Sequence, residues 1–197
     1  MRKWKRFDSL PRRFLRAYNR NIAAADFSEN RLQNGAMVFQ YGGAFPRLRF
    51  RHAKMSGVCC EILAAYNALK LAGIAVDFPK LAAEFEFGAA IPAIPPGIFG
   101  SDPFCIGRCL AAYGAKFARY RNLGEFEGVL TTGKIGIVSY RLGKFDPRIH
   151  TFAVQKTEDG ITAYNRYSND RAPRRFGSVA EALLGKVFLV GYVLDGD

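Results

Sequence analysis

Histidine is scarce in this 197-residue chain: His52 and His150 stand beside 29 Lys and Arg, 17 Asp and Glu and one Trp. Chemistry that needs an imidazole base therefore has two residues to choose from. Cysteine is almost as sparse, with four, at positions 59, 60, 105 and 109. Adjacent residues of one helix cannot readily bridge each other, so a disulfide scaffold is excluded and a reducing, cytoplasmic setting is expected. No apolar run approaches 18 residues, and the opening MRKWKRFDSLPRRF lacks a continuous apolar core, so neither a membrane span nor classical secretion is expected. Zinc-finger spacing, aromatic RNA-binding motifs and Gly-rich phosphate loops are also missing, which argues against nucleic-acid binding. No cofactor is implied.

What the chain does have is bulk. With 49% hydrophobic residues, 17 Phe and 9 Tyr, it can enclose a core without staples, and its length fits one substantial domain. Its net charge of +12 is uneven: residues 1–54 carry 13 Lys or Arg against three acids, and the rest is nearly neutral. A basic front end favours acidic peptides or other anionic partners, or else it is a solvated face. Residues 1–50 read as a basic extension packed on a core domain of residues 51–197.

Periodicity places helices early and strands late. Residues 8–24 carry Phe14, Leu15, Tyr18 and Ile22 on one side of a basic amphipathic helix. Met37–Tyr41, between Asn34-Gly35 and Gly42-Gly43 turn signals, reads as a short strand or extended segment. Residues 56–73, SGVCCEILAAYNALKLAG, read as an amphipathic helix with Ile62, Ala65, Tyr66 and Leu69 on one face, Leu63 widening it and Gly73 as the stop. A helix over 77–87 and a Pro- and Gly-rich loop over 88–103 follow, then a helix with Cys105 and Cys109 one turn apart. Past residue 115 the pattern changes: KFARYR, KIGIVSYRL, IHTFAVQK, ITAYNRY and KVFLVGYVL read as strands, with short helices in NLGEFEGVLTTG and VAEALLG. This order argues α+β.

Candidate chemistry lies where Cys60 falls near a helix start. There, free backbone N–H groups and the positive end of the helix dipole favour a thiolate. Packing as a small hydrophobe is the competing role for such a cysteine, and for Cys105 and Cys109 it is the leading one. Zinc held by all four thiols is disfavoured because the knuckle spacing is absent. His150 opens a hydrophobic strand, and Asn165 lies 15 residues on, across the Glu158-Asp159-Gly160 turn of a hairpin. That spacing lets an Asn amide oxygen accept one ring N–H while the other ring nitrogen faces a thiol. Cys60 would be nucleophile, His150 general base and then acid, and Asn165 orienter, with Cys59 the alternative nucleophile.

These motifs resemble the papain-like cysteine peptidases, especially compact bacterial members related to the double-glycine leader peptidases. Cys60 precedes Ala72-Gly73 by the spacing of that group's nucleophile helix. IHTFAVQKTEDGITAYNRY is similar to its histidine strand and its Asn or Asp strand, and the likeness spans roughly residues 50–194. It implies a papain-like fold, helices packed on a C-terminal antiparallel sheet, cleaving peptide or amide bonds of a peptide or protein substrate through a thioester. A backbone N–H near Cys60 would help bind the oxyanion. Two departures are visible. Residues 51–58, RHAKMSGV, hold no glutamine for the oxyanion site, Gln40 being distant in sequence, which leaves Ser56 or His52 as substitutes. Glu61 follows Cys60 where the group carries Gly or Trp. A non-catalytic peptide-binding module and an acyltransferase using the same thiol are the alternative functions.

Overall fold

The computed structural model describes residues 12–87, 101–143, 146 and 148–194. The helices are α1 (Arg12–Ile22), α2 (Met55–Val58), α3 (Cys60–Leu71), α4 (Phe78–Phe87) and α5 (Ile106–Ala112). A short hairpin of β1 (Arg49–Phe50) and β2 (Ala53–Lys54) leads into α2, and a 3-10 turn, Pro103–Cys105, leads into α5. Then come β3 (Phe117–Tyr120), α6 (Leu123–Val129), β4 (Ile135–Arg141), β5 (Ile149–Thr157), β6 (Gly160–Tyr164), β7 (Arg174–Phe176), α7 (Val179–Leu183) and β8 (Val187–Leu194). Six strands form one sheet in the order β3-β8-β4-β5-β6-β7, with every neighbour antiparallel. The class is α+β. The Pro- and Gly-rich loop expected over 88–103 lies, up to residue 100, outside the described residues, as does the chain before Arg12.

The sheet is a middle layer, and the period-2 alternation of its strands sorts residues between two cores. On one face Ile135, Ile137, Val190 and Tyr192 pack against α3 and its surroundings. On the other, Val138, Tyr140, Phe152 and Val154 pack beneath α6 and α7 with Phe126 and Leu183. Helix α3 is buried continuously from Cys60 to Leu69, so it is a central helix rather than the amphipathic one its spacing suggested. Its outer side is covered by residues that periodicity does not associate with it: Phe27, Met37, Phe45 and Phe78 share its core. Phe78 meets Phe27, Phe45 and Tyr66 edge-on at 5.3, 5.4 and 5.6 Å between centroids, contacts worth about 1 kcal/mol each beyond area burial. Residues 27–50 thus belong to the same core as α3.

Three local differences from the sequence reading matter for the site. The cysteine helix is split: Cys59, at φ −102° and ψ 15°, ends α2 and caps α3, so Cys60 is the first residue of α3. Met37–Tyr41 is not a strand and contributes one bridge, Arg31 to Met37. The returning strand β6 stops at Tyr164, because Asn165 adopts a left-handed conformation at φ 59°, which asparagine tolerates better than most residues. The turn at its other end depends on Gly160, at φ 139°, where a Cβ would stand 2.2 Å from the Phe176 carbonyl oxygen.

Candidate active site

Because β6 pairs β5 only from Ala153 to Thr157, the outer edge of β5 over Ile149–Phe152 is free of strand pairing. The start of α3 fills that opening. Cys60 Sγ lies 3.9 Å from the Ile149 carbonyl oxygen, where the nearby Thr151 backbone N–H favours the thiolate. His150, between them, projects to the α6/α7 side beside Tyr140, its cross-strand partner, with ring centroids 5.8 Å apart. A cavity of about 830 Å³ passes this opening, and Gln40, Cys60, Glu61, Tyr140, His150 and Arg166 line it. Cys59 instead packs into the main core.

His150 Nε2 is 2.9 Å from the backbone carbonyl oxygen of Asn165. A carbonyl only accepts, so the ring carries its proton on Nε2 and keeps Nδ1 as the basic nitrogen. The expectation was that the Asn165 amide oxygen would hold the ring. The left-handed turn reverses this, directing the carbonyl to His150 and the side chain to Gln40. There, Asn165 Nδ2 donates to Gln40 Oε1 at 3.0 Å, and Gln40 N–H donates to Asn165 Oδ1 at 3.4 Å. Ser56, the expected oxyanion support, lies outside the cavity lining, and its carbonyl accepts Gln40 Nε2 at 3.0 Å. One hydrogen of the Gln40 amide is thereby used, and no second acceptor for that nitrogen lies among the described residues. His52 is exposed on the β1–β2 turn.

Gln40 reaches the site because two buried asparagines hold its segment. Asn67 of α3 accepts from Met37 N–H at 2.7 Å and donates to Met37 carbonyl at 2.8 Å. Asn30 donates to the Val38 and Phe39 carbonyls and accepts from Ala44 N–H. Gly43, at φ 59°, permits the close approach, since a Cβ there would meet Asn30 Oδ1 at 2.1 Å. The turn signals around Gln40 were visible in the sequence, but where the segment docks depends on Asn67 and Asn165, 27 and 125 residues away.

The electrostatics also depart from a simple helix-start thiolate. Burial, then the nearby Glu61 carboxylate, pushes the Cys60 thiol well above its ordinary range. The dipole of α3 is shared with Glu61, which sits in the same first turn, is 3% exposed, and accepts the thiol at 3.2 Å from Sγ to Oε2. Glu61 itself is raised to about 7, chiefly by burial. Burial likewise lowers His150 to about 4, aided by the Arg166 guanidinium. Arg166 is fully buried, donates to Tyr140 Oη and to the Ala182 carbonyl, and stacks on the rings of Tyr140 and Tyr167 at 4.7 and 4.5 Å. Neither Glu61 nor Arg166 was singled out as functional from the sequence, and no local signal marks them.

Cys109 is buried and Cys105 half-buried, near α5 and away from the cavity lining. Among the described residues no group of three or more His, Cys, Asp or Glu side chains could hold a metal ion, and no helix is long and apolar enough to cross a membrane. Comparison with family models, curated proteins and solved structures found no match.

Proposed function

We propose that this chain is a papain-like cysteine hydrolase that cleaves a peptide or amide bond through a Cys60 thioester. The observation that carries this reading is that Cys60, His150 and Gln40 line one cavity, with His150 Nε2 tied to Asn165. Cys60 attacks the carbonyl carbon, and the second hydrogen of the Gln40 amide, with a backbone N–H at the α3 start, faces the oxyanion. His150, neutral and with Nδ1 unprotonated, is general base and then acid in hydrolysis of the thioester, taking a proton from the attacking water and returning it to sulfur. Gln40 takes the place of the glutamine missing from residues 51–58, and it comes from a loop rather than from the cysteine helix. Acidic peptides are the substrate class that the +12 net charge favours.

The test is hydrolysis of a mixed peptide library, with hydroxylamine used to trap an acyl-enzyme. A peptide hydroxamate released from the Cys60 thioester, and loss of both hydroxamate and cleavage in Cys60→Ala, are expected. Cleavage that survives Cys60→Ala sinks the reading. The second reading, a peptide-binding module without turnover, draws on the raised thiol pKa of Cys60. It predicts peptide binding that Cys60→Ala leaves intact and no acyl-enzyme.

A further inference from the structure

Among the described residues, the Cys60 sulfur has three hydrogen-bonding neighbours: Glu61 Oε2 at 3.2 Å, the Ile149 carbonyl oxygen at 3.9 Å and the Thr151 N–H. Of these only Glu61 can take a proton. It is a buried carboxylate with an edge on the same cavity, and its neighbour in sequence is the attacking group itself. We propose that Glu61 is a catalytic residue, the first acceptor of the Cys60 thiol proton, and that it serves acylation while His150 serves deacylation. This rests on the reading of Cys60 as nucleophile but not on His150 as its base.

As sulfur bonds to the carbonyl carbon, the S–H bond breaks, its electron pair stays on sulfur and the proton passes to Glu61 Oε2. When the tetrahedral intermediate collapses, the C–N bond breaks and the leaving nitrogen takes that proton, regenerating the carboxylate. Water then attacks the thioester carbon and gives its proton to His150 Nδ1. The C–S bond breaks and His150 returns the proton to sulfur, restoring the thiol–carboxylate pair. Basicity supports this division: Glu61 at about 7 is matched to neutral pH, whereas His150 at about 4 is a weak base there. The groups bearing on the titration are Cys59, from the α2–α3 junction, and Asp102, ahead of α5, which raises Glu61 further. His150 and Tyr140 face the cavity from the sheet, Arg166 from the segment after β6 and Arg148 from the rim.

Iodoacetamide labelling of Cys60, read by mass spectrometry against pH, separates the alternatives because a neutral reagent reports only loss of the thiol proton. If Glu61 is the acceptor, labelling of the parent rises through a step near pH 7. Glu61→Gln then loses that step and slows at pH 7.5 by about tenfold or more, Glu61→Asp keeps the step, and His150→Ala stays within about threefold. If Glu61 merely repels the thiolate, removing its charge eases ionisation, so equal or faster labelling of Glu61→Gln overturns the proposal. A parent profile with no step near neutrality, or no labelling at any pH, overturns it without any variant. Should His150→Ala alone lose labelling while the Cys60 acyl-enzyme is still trapped, the hydrolase reading stands and this proposal falls.

Discussion

Cys60 and Cys105 make the same local interaction in different settings. Cys60 is the first residue of α3 and Cys105 the N-cap of α5, and each sulfur faces a carboxylate oxygen, Glu61 at 3.2 Å and Asp102 at 3.4 Å. Burial, followed by the acid partner, raises both thiols. Asp102, however, is occupied with capping, accepting the Phe104 N–H at 2.9 Å, and Cys105 is not among the residues that line the cavity with His150. The Glu61 carboxylate is likewise favoured by backbone N–H groups, its own and that of Ser101, but its thiol partner meets the open edge of β5. A thiol–carboxylate pair at a helix start is therefore not a site; what distinguishes Cys60 is the gap left where β6 ends, with His150 and Gln40 brought to it.

Four measurements sharpen or break that contrast. The largest effect belongs to the sulfurs: Cys60→Ala should reduce amide hydrolysis by at least about 10³-fold, whereas Cys105→Ala should leave it within about twofold. Equal losses would erase the distinction. Next, Gln40→Ala should lower kcat by roughly 10²-fold, as for loss of one oxyanion donor, with a smaller change in KM. A loss confined to KM would assign Gln40 to ground-state binding instead.

The third measurement uses the opposed titrations. Glu61 binds its proton more tightly folded than unfolded, so it costs stability as pH rises from about 4.5 to about 7. His150 binds its proton less tightly folded, so stability is gained as pH rises from about 4 to about 6.5. Each window is worth about 3 kcal/mol and the two largely cancel. Urea melts of Glu61→Gln should therefore reveal stability rising with pH through that range, and His150→Asn stability falling. A flat profile in both variants would show that neither group is perturbed as described. The smallest effect is at the second pair: Asp102→Ala removes the cap of the 3-10 turn and should cost about 1 kcal/mol in a urea melt; no loss of stability would show that the cap contributes nothing.

The strands from KFARYR to KVFLVGYVL were legible because a β-prone run bounded by turn residues is a local pattern. The 3-residue edge strand β7 and the 2-residue hairpin of β1 and β2 were not, since segments that short carry no periodicity. Cys60 and His150 were legible as candidates through their positions at element starts. The partner of His150 was placed at the right residue but the wrong atom, because a strand reading of ITAYNRY carries no warning that Asn165 turns left-handed. Gln40 is far from Cys60 in sequence, but sequence distance does not measure spatial distance once Asn67 and Asn30 dock its loop against α3.

Composition and local pattern were enough to establish an α+β class, a helix beginning at the cysteine pair and a hairpin carrying His150, since each follows from short-range backbone preference and burial. Tertiary structure decided which sulfur faces a cavity, which atom of Asn165 holds the imidazole, and that Glu61 loses its water and meets the thiol. Those outcomes depend on where β6 stops and on how much solvent its ending removes. Desolvation is set by everything packed around a residue, and so cannot be read from the residues next to it in the chain.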